Sequence, residues 1–223
     1  MISDLLRQLN NGYQIVMSDT SQPKIYLVSP QEINLSGAFP EILVDTLVAF
    51  DVACLRLQLS SEDEREIGKI ADIMREICHA HDVAIVIERH MLLVERFGLD
   101  GVHLTDGSKN IAKARKLLGK DAIIGAFCGA SRHVGLSAGE AGADYISFGP
   151  ISGSELNDGE LVETNLFEWW SQVIEVPVVA EGGLTAQKLS EIARFTDFLA
   201  FGKEIWDSKN PSKTLRKLTS TLP

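Results

Sequence analysis

The chain has 223 residues, 45% of them hydrophobic and 23% charged, and carries a formal net charge of −10 at pH 7. That composition excludes a disordered or fibrous chain, and the acidic balance argues against a nucleic-acid groove or an anionic membrane surface. No apolar stretch approaches the roughly 20 residues of a membrane span, and Met1 to Asn11 lacks the basic-then-apolar form of a signal peptide, so a cytoplasmic protein is expected.

Residues 1–23 are polar and mixed, with Leu5, Leu6 and Leu9 on one face; they predict an N-terminal arm or helix closed by Pro23. Short apolar runs then predict strands over Ile25–Val28, Ala53–Leu59, Val83–Ile87, Gly101–Leu104, Ile123–Phe127, Tyr145–Phe148, Val176–Ala180 and Phe198–Phe201. Their continuous apolar character suits strands covered on both faces. Helical spacing fills the gaps over Glu41–Phe50, Glu62–Ala80, Ala112–Leu118, Leu136–Ala141, Leu166–Ile174 and Ala186–Phe195, and a tail helix runs from Pro211 to about Leu218. Ser61 with Glu64 three residues on reads as a capping box. Thr185 reads as an N-cap and Gly142 as a helix stop. Eight strand-then-helix units predict an α/β fold, a single (β/α)8 TIM barrel over residues 24–223.

Cys54, Cys78 and Cys128 are scattered, with no CxxC, and read as buried small hydrophobes in a reducing compartment. Trp169, Trp170 and Trp206 read as packing residues. The loop from Ser152 to Glu163 is acidic and longer than its neighbours, a candidate lid. The strands offer no inward lysine, which disfavours Schiff-base aldolase chemistry. His103, His133 and Glu181 are too few for a metal-dependent epimerase.

In such a barrel the chemistry sits at the C-terminal strand ends. Gly182 and Gly183 follow strand seven and Gly202 follows strand eight, where backbone N–H groups can approach a phosphate closely. Lys203 is placed to add a charge, or is simply solvated. His103, Ser147 and Gly149, which begins the Gly149-Pro150 pair, lie at the barrel rim as candidate ligand contacts.

The strand-end motifs together resemble the thiamine-phosphate synthase family and its relative, the thiazole tautomerase branch. The resemblance is carried by Lys-Ile-Tyr-Leu-Val-Ser (24–29), Asp-Gly-Val-His-Leu (100–104), Gly-Ala-Asp-Tyr-Ile-Ser-Phe-Gly-Pro (142–150) and Pro-Val-Val-Ala-Glu-Gly-Gly-Leu (177–184), and spans about 24 to 205. It implies a transferase that joins a pyrimidine diphosphate to a thiazole phosphate with loss of diphosphate. It also implies Mg²⁺ for the diphosphate and small phosphorylated heterocycles as partners; a homodimer is left open.

Carried over residue by residue, the family's Gln-x-Arg-x-Lys becomes Arg56, Gln58 and Ser60, aimed at the diphosphate. Its Asn-Asp becomes Glu88 and Arg89, and its second metal aspartate becomes Ser108, with Asp106 two residues earlier as a substitute ligand. One reading lets Arg56, Arg89 and Arg132 replace the metal with guanidinium charge. Another has the protein bind a different, singly phosphorylated ligand. Glu88 either pairs with Arg56 or Arg89, or stays ionised beside them as a general base. Ser131-Arg132-His133 resembles the Ser-x-His turn of the tautomerase branch, which makes His133 an alternative acid/base. The remaining alternative is a non-catalytic binding protein for a phosphorylated thiamine precursor.

Overall fold

Eight parallel strands close into a barrel in sequence order. The computed structural model describes residues 22–153, 160–220 and 222. The expected N-terminal arm therefore lies outside the described residues except for Gln22 and Pro23, as do residues 154–159 of the acidic loop. The strands are β1 (Lys24–Val28), β2 (Val52–Leu57), β3 (Ala84–Glu88), β4 (Gly101–Leu104), β5 (Ile123–Phe127), β6 (Tyr145–Phe148), β7 (Val178–Glu181) and β8 (Phe198–Phe201). Strands β4, β5, β6 and β8 match the sequence expectation residue for residue. β7 starts two residues later, beyond Pro177, which has no N–H for the ladder. β3 reaches Glu88, because the next N–H, that of Arg89, still bonds His103 O at 2.9 Å.

The helices are α1 (Phe39–Ala49), α2 (Glu64–Ala80), α3 (Met91–Arg96), α4 (Ile111–Leu118), α5 (Arg132–Glu140), α6 (Thr164–Val173), α7 (Ala186–Ile192), α8 (Lys203–Trp206) and α9 (Pro211–Thr219). α3 and α8 escape a periodicity reading because one or two turns hold too few apolar repeats. The capping box at Ser61 is corrected. α2 begins at Glu64, and Asp63 caps it by accepting from Arg65 N at 2.8 Å. Ser61 instead accepts from Asp63 N and donates to Glu66. Thr185 does cap α7, accepting from Lys188 N at 3.3 Å. Gly142, just past α5, has φ +96°, where a Cβ would be strained.

Outward strand residues such as Leu27, Leu55, Ile85, Ile124, Phe148 and Phe201 pack against the helices. Inward ones form a separate cluster that includes Tyr26, Cys54, Val86, Tyr145 and Val179. The period of two therefore sorts every strand into a helix-facing and a barrel-filling set. Room for the largest inward ring is made at Gly125, where an added Cβ would lie 2.0 Å from Tyr145 Cζ. The three thiols are buried, and burial pushes Cys78 and Cys128 up to about 12. Trp170 is 1% exposed and Trp206 packs edge-on against Phe39, as packing residues should.

Acidic residues entering the even strands tie the barrel together from below. Asp100, Asp144 and Asp197 each accept the backbone N–H that opens the neighbouring odd strand's ladder: Ile85, Ile124 and Val178. Asp100 and Asp144 also meet His79 and Arg115. Among the described residues, no helix is long and apolar enough to cross a membrane.

Candidate active site

Period-two alternation points Arg56 (β2), Glu88 (β3), His103 (β4), Tyr145 and Ser147 (β6) and Glu181 (β7) into the barrel, above the apolar plug and below the loops. All are buried. They join into one chain across the lumen. Tyr26 and Tyr145 share a hydroxyl hydrogen bond of 2.7 Å, and Tyr145 Oη lies 3.0 Å from His103 Nδ1. His103 Nε2 lies 2.8 Å from Arg56 Nη1. A guanidinium only donates, so Nε2 accepts and the ring proton sits on Nδ1, facing Tyr145. Burial, reinforced by the Arg56 charge, holds His103 well below the usual histidine range, so the ring is neutral.

Arg56 ends the chain in a two-pronged bond to Glu181, Nη2 to Oε2 at 2.5 Å and Nη1 to Oε1 at 3.3 Å. Its Nε faces Glu88 Oε2 at 3.7 Å. Burial alone would lower the arginine, but Glu181 and the groups around it outweigh this and raise it. Arg56 is thus a buried structural cation whose two terminal nitrogens are engaged by His103 and Glu181, while its Nε–H is buried without a hydrogen-bond partner.

Glu88 also lies 3.6 Å from Arg89 Nε, so it pairs with both arginines. Burial is the largest influence and raises it; Arg56 opposes this, Glu181 adds to it, and the net direction is up from 4.5. A carboxyl raised on folding destabilises the fold once pH exceeds its unfolded value, and the penalty vanishes at lower pH, where both states are protonated. Glu88→Gln is therefore expected to raise the melting temperature at pH 7. That gain should close as pH falls from the raised folded-state value toward 4.5, read by thermal melts across pH.

Other sequence-predicted residues are placed differently. Gln58 lies past the end of β2, where its backbone N–H donates to Ser29 Oγ at 3.0 Å and its side chain acts to lower the Glu88 carboxyl. Ser147 Oγ is buried with no hydrogen-bond partner, a hydroxyl pointed into the lumen. Gly149 is needed for packing, since a Cβ there would come within 2.4 Å of Glu181 O. Arg89 ends β3 at φ +66° with a side chain 55% exposed. An arginine in the left-handed region is strained, and such residues cluster at functional sites. His133 is exposed in the first turn of α5 and takes no part in the chain from Tyr26 to Glu181. Arg132 stacks on Trp169, 4.7 Å from the ring centroid, instead of joining the lumen. The sequence reading missed Tyr26, Tyr145 and the role of Glu181; alternation along β1, β6 and β7 was the available signal.

Across the same rim, Gly183 N and Leu184 N donate to Glu204 Oε1 at 2.7 and 3.2 Å, and Gly202 N donates to Oε2 at 2.9 Å. The Gly182 carbonyl accepts from Ile151 N and Ser152 N, and Ser152 Oγ donates to Gly183 O at 2.6 Å. A Cβ at Gly183 would meet that Ser152 Oγ at 2.2 Å, so this glycine is required by loop packing. Lys203 is exposed and opens α8.

The Mg²⁺ that the resemblance implies needs hard oxygen ligands. Arg89 offers none and Glu88 is shared between two arginines. Asp106 accepts from Asn110 Nδ2 at 2.5 Å and keeps one buried oxygen unpaired. No group of three or more His, Cys, Asp or Glu among the described residues is placed to hold a metal. The residues present do not fit a protein-held Mg²⁺. A cleft of about 830 Å³ lies at the opposite, N-terminal end, lined by His79, Asp100 and Lys116 among others. That end of such barrels carries stability, not chemistry.

Fold and strand-end polarity together define a (β/α)8-barrel protein with a polar mouth at the C-terminal ends of its strands. Among solved structures it is similar to a thiamine phosphate pyrophosphorylase from Pyrococcus furiosus, with TM-score 0.76, 21% identity, and 88% and 95% of the two chains covered. It is also similar to 3-hexulose-6-phosphate synthase from Salmonella typhimurium, with TM-score 0.66, 17% identity, and 88% and 97% covered. At those identities the likeness is one of fold. The thiamine monophosphate synthase family model matches residues 25–203, and the chain belongs to that family. It is 39% identical over 197 residues to the thiamine-phosphate synthase of Erythrobacter litoralis, covering 85% of this chain and 92% of that one. It is 34% identical to that of Rhodospirillum centenum, covering 82% and 89%.

Proposed function

We propose that the protein works as a thiamine-phosphate synthase, joining a pyrimidine diphosphate to a thiazole phosphate with release of diphosphate. The observation that carries this reading is the family match from β1 through Lys203, which takes in the C-terminal ends of all eight strands. Arg89 is an exposed cation at the mouth and is assigned to the departing diphosphate, whose developing charge a guanidinium would stabilise. Ser147, His103 and Gln58 are assigned to the heterocycle, and the loop seven and eight amides to the thiazole phosphate. The buried Arg56, Glu181 and Glu88 hold that wall in place rather than contact ligand. The same reading places the protein in the cytoplasm and pairs it as a homodimer, with small phosphorylated heterocycles as its ligands.

The test is to incubate pure protein with both substrates, with Mg²⁺ or with chelator, and to assay thiamine phosphate. Product is expected. Survival in chelator would support arginine in place of the metal, and loss would mean that Mg²⁺ arrives with the diphosphate. No product in either arm would overturn the synthase reading.

A further inference from the structure

We propose that Glu204 is a specificity-determining residue whose carboxylate fills the anion cradle between loops seven and eight, so that a ligand phosphate binds there only by displacing it. This rests on the reading of those amides as the phosphate end of the site. Three backbone N–H groups from two different loops converge on the two oxygens of one side chain. Two oxygens of a phosphate would meet the same three donors, so carboxylate and phosphate compete for one set of hydrogen bonds.

The competition favours the chain. Glu204 lies two residues beyond Gly202, so its effective concentration at the cradle is that of a short tether. A phosphate sees only the fraction of molecules in which the side chain has swung away, and its apparent affinity falls by that fraction. If Glu204 stayed close, its negative charge would repel the phosphate as well. The side chain is half-buried, so solvent already reaches it and leaving needs no opening of the core. The surrounding loop is held independently by Ser152 Oγ on Gly183 O and by Ile151 N on Gly182 O, so the amides keep their positions when the carboxylate leaves. The phosphate of the thiazole substrate therefore binds this cradle with an affinity reduced by the share of molecules in which Glu204 occupies it.

The test titrates wild type, Glu204→Ala and Glu204→Gln with thiazole phosphate and with the same thiazole alcohol, following the amide signals of Gly183, Leu184 and Gly202. Wild type is expected to bind the two ligands within a few-fold of each other. Glu204→Ala is expected to prefer the phosphate by roughly 10-fold or more, as three charge-assisted hydrogen bonds become free to form, and Glu204→Gln by a smaller factor, because its uncharged amide oxygen still accepts from the cradle. Glu204→Gln keeps an acceptor for the amides if the alanine variant melts too readily. An unchanged phosphate-to-alcohol ratio, with all three amides responding, would overturn the role of Glu204 and leave the cradle reading standing. Silence of these amides to the phosphate in every variant would overturn the cradle reading and this inference with it.

Discussion

Arg56→Ala is expected to cost about 3–5 kcal/mol of folding stability, a large share of the roughly 5–15 kcal/mol that holds a typical domain. The substitution strands the Glu181 carboxylate at 2% exposure, leaves Glu88 with Arg89 as its cation, and removes the donor to His103 Nε2. A buried charge without its partner keeps the full desolvation penalty. The pair as a whole need not be worth that much, because its own burial is costly. The double substitution Arg56→Met with Glu181→Met is therefore expected to cost less than Arg56→Met and Glu181→Met added together, by a coupling of about 0.5–3 kcal/mol between the two positions. Urea unfolding of the four proteins measures it. Additive losses would mean that the two residues act separately and that the lumen chain is not a unit.

Arg89→Ala is expected to leave the fold intact and to slow thiamine phosphate formation by roughly 10²–10³-fold, the usual effect of removing one donor aimed at developing negative charge. Its side chain is more than half exposed, so little packing is lost. Glycine separates the two roles of the residue. At φ +66° an L-residue carries a strain of about 1–2 kcal/mol that glycine does not. Arg89→Gly should thus be more stable than Arg89→Ala by about that amount and equally inactive. A stable Arg89→Ala enzyme with undiminished turnover would remove Arg89 from the site.

The barrel was legible because each strand is a short apolar run between helical periods, and four strands match their expected bounds residue for residue. The site was legible only in part. Gly182, Gly183 and Gly202 mark loops seven and eight in the sequence, but they do not show what occupies their amides. Arg56 reads from sequence as a ligand cation because it sits two residues short of Gln58 on an inward row; its pairing with Glu181 depends on a residue 125 positions away. Glu204 gave no signal, since a lone glutamate in a four-residue helix is indistinguishable from a solvated one.

The sequence by itself determined the eight strands, the face each side chain takes, the buried thiols and the family to which the motifs point, because these follow from local periodicity and from residue types at fixed spacing. Only the tertiary structure decided which charges are spent on one another. Closing the barrel brings β2 against the lumen face of β7 and loop eight against loop seven. There Arg56 meets Glu181 and the Glu204 carboxylate meets the amides of Gly183 and Gly202. Electrostatic pairing depends on distance through space and on burial, and neither is written in the order of residues.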